Sequence, residues 1–483
     1  MKAAFTISHN RALRWGNAGL IAAFAGSLTV VGLIAAKAPD LILLLPVALV
    51  VACVGVFLFS RPRLNFIVWL GGFALLFSSE VGLQFHEVAY GLYFYAYLGH
   101  WYLRRLLLYK RPIIHGRLDV AVGLWLGLGL TLGVGLGLFF GADLTRIRGE
   151  WLAVSVIAIY FPIKEFSMRE KHGPAILLAI LAFIGLWVTF DNVLVAGRTL
   201  AAATATWEIE TVRKAGRELL LTFSGLMLLS VLPVLKKRAH QVGVGVIVAI
   251  LLGGLILTKS RAYWVEYLVA VVVLISITPG SERRRLVAWC VAGTGILSVI
   301  SILFLSSYIN LVIAGTSSRF ATLGAASADL SLLNRFVEAS AVLEKVVKNP
   351  ILGYGFATDF SFFDIIALRT RTRGYIHIGF VAVLYKFGLW GGMLVAYVWL
   401  SSLSTAFGDS RRKIFSAFDR AAFRGIFACS TSMVLAAMTS SVFFEPDKLS
   451  AFIFITALGI GIHFKYEKTR AQPNRADLVR SGY

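Results

Sequence analysis

The sequence has little charge and little cysteine for its length of 483 residues. Charged residues make up 15% of the chain and hydrophobic residues 58%. This excludes a water-soluble globule, because so much apolar surface needs lipid to face. The three cysteines, Cys53, Cys290 and Cys429, all fall within apolar runs, which excludes a disulfide framework and a thiolate metal cluster. We therefore predict a polytopic integral membrane protein.

Acidic residues are also scarce. The chain has 25 Asp and Glu against 47 Lys and Arg, and its formal net charge is +22. Because the positive residues are dispersed over many short links, we do not expect nucleic acid as a partner. The pattern is more typical of a protein that is anchored among anionic membrane lipids and handles an anionic substrate.

Long apolar runs are what the chain does have. Runs of about 17–25 apolar residues can cross the hydrocarbon core as helices, so we predict an all-α fold with about 12 to 14 transmembrane helices. The candidate spans are 18–36, 40–60, 64–79, 87–108, 118–141, 150–163, 174–191, 218–235, 242–258, 262–278, 286–306, 377–402, 421–440 and 447–465. We divide the chain into an N-terminal transmembrane bundle (1–306), a large outer loop (307–376), C-terminal transmembrane helices (377–465) and a cytoplasmic tail (466–483).

The distribution of Lys and Arg tests this topology. Positive residues concentrate at cytoplasmic span ends, and with both termini inside, most links obey that rule. The exceptions are three outer segments around Arg198–Arg217, Lys259–Arg261 and Ser307–Tyr375. Since positive charge on the outer side is unusual, we expect these three segments to carry the function.

The longest exception has internal order. Apolar residues recur at helical spacing from Ser331 to Lys348, with Arg335 and Glu338 among the polar positions, which predicts an amphipathic helix. Asn349-Pro350 should end it. The segment from Ile351 to Phe356 then predicts a tight glycine-dependent turn.

Three arginines follow at alternate positions. Arg369, Arg371 and Arg373 are separated by threonines, so in an extended chain all three point to one face. Such a row of forked donors suits phosphate oxygens, although a solvated or headgroup-facing charge run is the alternative interpretation. His377 follows at the start of a span.

One span shows how it packs. Gly129, Gly133, Gly137 and Gly141 recur every four residues and form a smooth helix face that another backbone can approach closely. We expect packing within the chain, with a dimer interface as the alternative.

These motifs resemble a known family. Asn334-Arg335-Phe336, Asn349-Pro350-Ile351-Leu352-Gly353-Tyr354-Gly355-Phe356, His377 and Leu384-Tyr385-Lys386-Phe387-Gly388-Leu389-Trp390-Gly391 look like the signature of the bacterial O-antigen ligase and O-antigen/exopolysaccharide polymerase superfamily. The earlier run Thr258-Lys259-Ser260-Arg261-Ala262-Tyr263-Trp264 is similar to the serine-arginine step of that family. Lys386 departs from the resemblance, because family members often have an acidic residue there.

The resemblance implies a membrane glycosyltransferase of GT-C-like architecture in the bacterial inner membrane, with the large loop in the periplasm. Its donor is expected to be a glycan on polyprenyl pyrophosphate, and its acceptor another glycan or the lipid A core. In this family arginines, not a metal, hold the pyrophosphate. We therefore expect no metal and no cofactor, and the first outer link, about residues 36–40, is too short for an elaborate acidic metal site.

Site residues follow from the resemblance and from charge. Positive groups lower the barrier where negative charge grows on a leaving phosphate, and histidine titrates near neutral pH. We predict His377, Arg335 and Arg261 as catalytic residues. The predicted substrate-binding residues are Arg213, Arg217, Arg369, Arg371, Arg373, Glu338 and Glu266, of which Glu266 is an intramembrane carboxylate that needs a partner.

Three functions remain open. A polymerase adds lipid-linked repeat units to a growing chain, and the number of spans leans slightly toward it; a ligase transfers the glycan to the lipid A core. A transporter of polysaccharide or lipid-linked glycan is the alternative from another class, but repeated halves and many intramembrane charges, which transporters show, are missing from the sequence.

Overall fold

The computed structural model describes residues 53–76, 85–110, 112–202, 217–258, 260–304 and 330–471. Within these residues the chain is almost entirely helical, and its two strands form one antiparallel hairpin. In chain order the elements are α1 (Pro62–Gly71), α2 (Phe85–Leu103), α3 (Arg117–Phe139), α4 (Leu144–Ser155), α5 (Tyr160–Arg169), α6 (Gly173–Ala202), α7 (Glu218–Val231), α8 (Arg238–Leu257), α9 (Arg261–Ile277), α10 (Gly280–Phe304), α11 (Leu330–Lys348), β1 (Phe360–Asp364), β2 (Arg369–Arg373), α12 (Gly379–Asp409), α13 (Ala417–Thr439) and α14 (Pro446–Ala471).

The prediction of an all-α polytopic membrane protein is confirmed. Among the described residues, seven helices are long and apolar enough to cross a membrane: Arg117–Phe139, Leu144–Arg169, Gly173–Arg198, Arg238–Leu257, Gly379–Asp409, Ala417–Thr439 and Pro446–Glu467. The predicted span 18–36 lies outside the described residues. The predicted span 150–163 proves longer, because its helical course begins at Leu144.

An eighth candidate is a bent pair of helices. Cys53–Ser60 and Pro62–Leu76 meet at an angle of 114°. The bend has a local cause, because the ring of Pro62 disfavours helical geometry in the residue before it. Arg61 accordingly adopts φ −119° and ψ 81°. The predicted boundary between spans 40–60 and 64–79 therefore falls at a sharp turn of the helix.

The chain forms two compact units. Among the described residues, one unit lies within 53–73 and 89–112, and the other lies within 74–88 and 113–471. In the described part of the first unit, Trp69 is fully buried and stacks on Phe94 and Tyr97. Such aromatic contacts bury a large apolar area in a small space, and they hold α1 against α2.

The centre of the second unit is α7. Every residue of this helix is buried, and it packs against α6, α8, α9, α13 and α14. Small residues permit close approach: a Cβ at Gly425 of α13 would lie 2.5 Å from the Ser230 hydroxyl, and one at Gly461 of α14 would lie 2.6 Å from the Lys164 carbonyl. Tight contacts of this kind replace the hydrophobic driving force that is absent between helices in lipid.

A buried ion pair joins α3 to α5. The Lys164 ammonium lies 2.6 Å from a carboxylate oxygen of Asp119, and both side chains are inaccessible to solvent. The Tyr160 hydroxyl (2.8 Å) and the His115 amide (2.6 Å) also donate to Asp119. Lys164 further donates to the carbonyl of Ile113 at 3.0 Å. The carboxylate is thus fully satisfied, as a buried charge must be.

We predict that Asp119→Ala destabilises the protein by about 3–5 kcal/mol, because it leaves the Lys164 charge buried without its partner. The thermal unfolding midpoint of the purified protein in detergent measures this. Arg117→Gln, an exposed change two residues earlier on the same helix, should leave the midpoint near that of the wild type. Equal midpoints for the two variants would show that the pair does not stabilise the fold.

Candidate functional site

Helix α12 is broken at Gly388, and the loop that follows α11 fills the break. Gly388 adopts φ 60° and ψ −161° inside the helix, and a break of this kind frees backbone groups that must find partners elsewhere. Three backbone hydrogen bonds provide them: Tyr354 amide to Tyr385 carbonyl at 2.8 Å, Gly355 amide to Lys386 carbonyl at 2.9 Å, and Leu389 amide to Pro350 carbonyl at 2.7 Å. The two sequence motifs are therefore one structural unit.

Glycine is required where the two backbones meet. Gly353 and Gly355 have φ of 71° and 78°, a region that residues with a Cβ seldom adopt. A Cβ at Gly353 would also lie 2.6 Å from the amide nitrogen of Gly388. Substitution is thus opposed by both conformation and space.

The glycine stripe of α3 receives the other side of the same loop. The amide of Phe356 donates to the Gly133 carbonyl at 2.8 Å. A Cβ at Gly133 would meet the Phe356 ring at 2.8 Å, and one at Gly137 would meet the Phe356 carbonyl oxygen at 2.5 Å. Close backbone approach within the chain accounts for this part of the stripe.

The arginine row lies on the second strand of a hairpin. β1 and β2 pair antiparallel with Phe362 opposite Arg371 and Asp364 opposite Arg369. Residues opposite each other share a face of the sheet, so the alternate arginines share the face of Phe360, Phe362 and Asp364. The row lies in an extended strand, the conformation in which the sequence places all three arginines on one face. The partner strand was not predicted.

Asp364 organises the turn of the hairpin. Its carboxylate accepts hydrogen bonds from the amides of Ile366 and Ala367, both at 3.0 Å, and pairs with Arg371 at 3.0 Å. These groups favour the charged form. The pKa of Asp364 is therefore lowered below its ordinary value. The largest cause is the hydrogen bond from the Ala367 amide, and the Ile366 amide and the nearby arginines add to it.

The most important cluster joins α11, β2 and the start of α12 around Glu338. This side chain is buried, with 1% of its surface exposed. One carboxylate oxygen accepts the His377 main-chain amide at 2.7 Å, and the other lies 2.8 Å from Nδ1 of the His377 ring. Arg373 donates to that second oxygen as well. A carboxylate from the amphipathic helix thereby fixes both the backbone and the ring of His377.

This contact determines which ring nitrogen of His377 is available. The Nδ1 atom faces a carboxylate that can only accept, so Nδ1 carries the proton in the neutral ring and Nε2 is left as the acceptor. The His377 side chain is 29% exposed, so it is within reach of a ligand. Arg373 is held in place from its other side by the Phe362 ring, 4.6 Å from the guanidinium carbon.

A second buried pair lies behind the hairpin. The Lys386 ammonium, 1% exposed, contacts both carboxylate oxygens of Glu150 at 2.6 and 2.7 Å, and it donates to the Gly374 carbonyl at 3.3 Å. Glu150 also accepts the Ala357 amide at 3.0 Å. Lys386, where the family often has an acidic residue, is thus paired with a carboxylate from α4. Its bond to Gly374 anchors the chain just after β2, three residues before His377.

A third network approaches His377 from α14. The Tyr375 hydroxyl donates to Glu445 at 2.9 Å, and the Tyr375 and His377 rings meet edge to face at 5.0 Å. Burial raises the pKa of the Tyr375 phenol above its ordinary value. Glu445 in turn pairs with Lys448, whose ammonium lies 5.6 Å from the Tyr263 ring centre.

The remaining predicted residues that the structure describes lie at different places. Arg335 is half-buried on α11, one turn before Glu338, and within the described residues it forms no ion pair. Arg261 is the first residue of α9 and is half-buried. Arg213 lies outside the described residues, while Arg369 is exposed.

Two predicted substrate-binding residues sit beside the α14 network. Arg217 pairs with Asp191 at 2.6 Å, and its amide donates to Asp447 at 2.7 Å. Glu266 is buried in α9, where the charges of Lys448 and Glu218 act on it. Lys448 is therefore one cation whose charge acts on Glu266.

Sequence reasoning missed the carboxylates that hold these cations, above all Glu150 and Glu445. Their signal was their position: Glu445 opens the last span beside Lys448, and Glu150 lies at the predicted start of a span. Charged residues at such positions are costly without partners. A search for acids at span ends, in addition to arginines, would have identified both.

Comparison with known proteins agrees with the motifs. Residues 246–396 match the model of the O-antigen ligase family. The matched region contains α9, α11, the hairpin and the broken turn of α12, and it confirms the predicted resemblance. It supports an activity of the O-antigen ligase and polymerase type and does not separate the two. No curated protein sequence matches this chain.

We predict that Gly137→Ala reduces thermal stability, because the added methyl group would strike the Phe356 backbone. Forced overpacking of this kind costs about 1–3 kcal/mol. Gly135→Ala, on the same helix with open space around it, is the matched control and should behave as the wild type. Similar unfolding midpoints for both variants would contradict the packing that we describe.

Proposed function

We propose that the protein is a metal-independent membrane glycosyltransferase that polymerises polyprenyl-pyrophosphate-linked oligosaccharides into exopolysaccharide or O-antigen. Its place is the bacterial inner membrane, with both termini cytoplasmic and the hairpin side facing the periplasm. The family match of residues 246–396 supports the reaction class. The observation that carries the proposal is the Glu338–His377 contact, since it presents a histidine with one free ring nitrogen beside Arg373.

In the proposed reaction an acceptor hydroxyl attacks the anomeric carbon of the donor. The bond between that carbon and the pyrophosphate oxygen breaks, and its electron pair leaves with the polyprenyl pyrophosphate. The hydroxyl proton passes to Nε2 of His377, because an imidazole nitrogen within reach of a hydroxyl is the commonest proton acceptor in enzyme catalysis. Glu338 positions the ring and stabilises the imidazolium that forms.

Arginines take up the charge on the leaving group in this proposal. Arg335 is the leading residue because the described structure gives it no ion-pair partner. Arg371 and Arg373 each commit part of their guanidinium to a carboxylate, Asp364 and Glu338, so they contribute their remaining donors. Forked guanidinium donors match pyrophosphate oxygens in geometry as well as in charge. Arg261 is the second catalytic arginine of this proposal. We place Arg213, Arg217 and Arg369 in supporting roles, and Glu266 in orienting a cation.

The experiment that tests this function is an assay of the purified protein with a polyprenyl-pyrophosphate-linked oligosaccharide. A ladder of product lengths means a polymerase, whereas a single addition to lipid A core means a ligase, which is the activity that the matched family is named for. Absence of any covalent product under competent conditions would contradict both the polymerase and the ligase and favour a transporter. Loss of activity with a chelator and its return with magnesium or manganese would contradict metal independence.

We predict that His377→Ala and Glu338→Gln each lower turnover by about 10²–10⁴-fold, the usual contribution of a positioned proton acceptor. Because Glu338 acts through His377, the double variant should be scarcely slower than either single variant. Glu344→Gln, exposed on the same helix, serves as the control and should retain activity. Near-normal turnover in either single variant removes that residue from the mechanism.

We also predict that Arg335→Gln lowers kcat by about 10²–10³-fold, because it removes a charge that meets the leaving pyrophosphate in the transition state. Lys348→Gln, a loss of the same charge at the exposed end of the same helix, should change kcat little. Equal losses in the two variants would point to a general effect of net charge instead.

A further inference from the structure

A cavity of about 440 Å³ opens beside the hairpin, apart from the Glu338–His377 cluster. It lies where the loop between α3 and α4 meets α11 and the segment before β1. Its side-chain lining includes Phe140, Asp143, Arg146, Lys345, Tyr354 and Asp359. Its volume is in the range of small-molecule sites, and neither the predicted site residues nor the proposed mechanism uses it.

One wall of the cavity is aromatic. Phe140 is exposed and its ring lies 4.9 Å from that of Tyr354, tilted by 51°. Tyr354 stacks from behind on the buried ring of Tyr385, with centres 5.0 Å apart. The Tyr354 hydroxyl is tied to the Lys345 carbonyl at 3.0 Å. The result is a rigid aromatic surface whose negative ring faces suit the weakly positive C–H groups of a sugar.

The opposite wall carries balanced charge. Arg146 makes a bidentate contact with Asp359, at 2.8 and 2.5 Å, and Lys345 donates to the Asp359 carbonyl at 2.9 Å. The hydrogen bond from Arg146 lowers the pKa of Asp359, and the Thr145 amide lowers that of Asp143. Two carboxylates and two cations therefore face one cavity.

This balance distinguishes the cavity from a phosphate site. An anion such as pyrophosphate would meet two carboxylates, which repel it. Sugar hydroxyls both donate and accept, so they can bond to carboxylates and to guanidinium or ammonium groups at once. An aromatic platform beside paired polar groups is thus suited to a sugar ring and poorly suited to the lipid pyrophosphate.

The cavity adjoins the residues that lead to His377. A Cβ added at Gly374, which follows Arg373, would lie 2.7 Å from a terminal nitrogen of Arg146. The Gly374 carbonyl accepts from the buried Lys386. A sugar in the cavity would therefore lie next to the strand end that precedes His377.

We propose that this cavity is a saccharide subsite that holds one sugar ring of the glycan, with Phe140 and Tyr354 as the stacking surface and Arg146, Asp359 and Asp143 as hydrogen-bonding groups. Its role as part of the reaction path rests on the proposed function. Binding of the sugar itself is an independent property of the cavity and is tested directly.

The test measures binding of lipid-free repeat-unit oligosaccharide, prepared from the surface polysaccharide of the source cell, to the full-length protein in nanodiscs. We expect Phe140→Ala and Arg146→Gln to weaken binding about tenfold or more each. Their matched controls are Phe139→Ala and Arg148→Gln, exposed neighbours that do not line the cavity, and both should bind as the wild type does. Thermal unfolding shows whether each variant is folded; if Arg146→Gln is not, Phe140→Ala carries the test.

The outcomes separate this inference from the proposed function. If the wild type transfers glycan but the lining variants bind oligosaccharide as well as the controls do, the subsite is overturned and the transferase stands. Suppose instead that the wild type forms no covalent product, but binds the oligosaccharide, and that Phe140→Ala weakens this binding while Phe139→Ala does not. The subsite then stands and the transferase is contradicted. A wild type that does not bind the oligosaccharide, or equal losses in lining and control variants, overturns the subsite.

Discussion

The hydrogen bonds across the broken turn of α12 are the constraint on which the candidate site depends. A helix that breaks inside a membrane protein must return its free backbone groups to other partners, since no water is there to take them. Here the partners come from the loop that follows the amphipathic helix. These hydrogen bonds fix the position of the loop, and the chain continues from the loop into the hairpin and then to His377. The glycines on both sides are needed because only backbone can fit in the contact.

A second constraint is the pairing of charge. Carboxylates match the cations at and near the hairpin. Glu338 pairs with Arg373 and Glu150 with Lys386 across separate parts of the chain, whereas Glu445 pairs with Lys448 three residues later. Unpaired, these groups would be costly in so apolar a setting. Because most of them are satisfied, the half-buried Arg335 stands out. The site thus combines cations whose charge is already paired with a carboxylate and Arg335, whose charge is available to an anionic ligand.

Local patterns predicted local structure well. The amphipathic helix was predicted over Ser331 to Lys348 and is observed as Leu330–Lys348, because its periodicity depends only on neighbouring residues. The alternation of Arg369, Arg371 and Arg373 likewise indicated that the three share one face wherever the chain is extended, and β2 has that conformation. The partner strand Phe360–Asp364 was missed, since its five residues are mostly aromatic and show no alternation of polarity. The Lys386–Glu150 pair was beyond reach, because its members lie 236 positions apart and only the folded bundle brings them together.

The break at Gly388 also affects how the molecule can move. In a continuous helix of 31 residues, a displacement at one end is carried along the hydrogen-bond ladder to the other. At Gly388 that ladder is interrupted, and the short segment before it is bonded to the loop instead of to the rest of its own helix. The loop is also bonded to Leu389 of the long span and to Gly133 of α3, so the short segment after His377, the loop and these two spans are held together as one unit. A displacement of the loop would therefore act on two spans at once and not along a single helix.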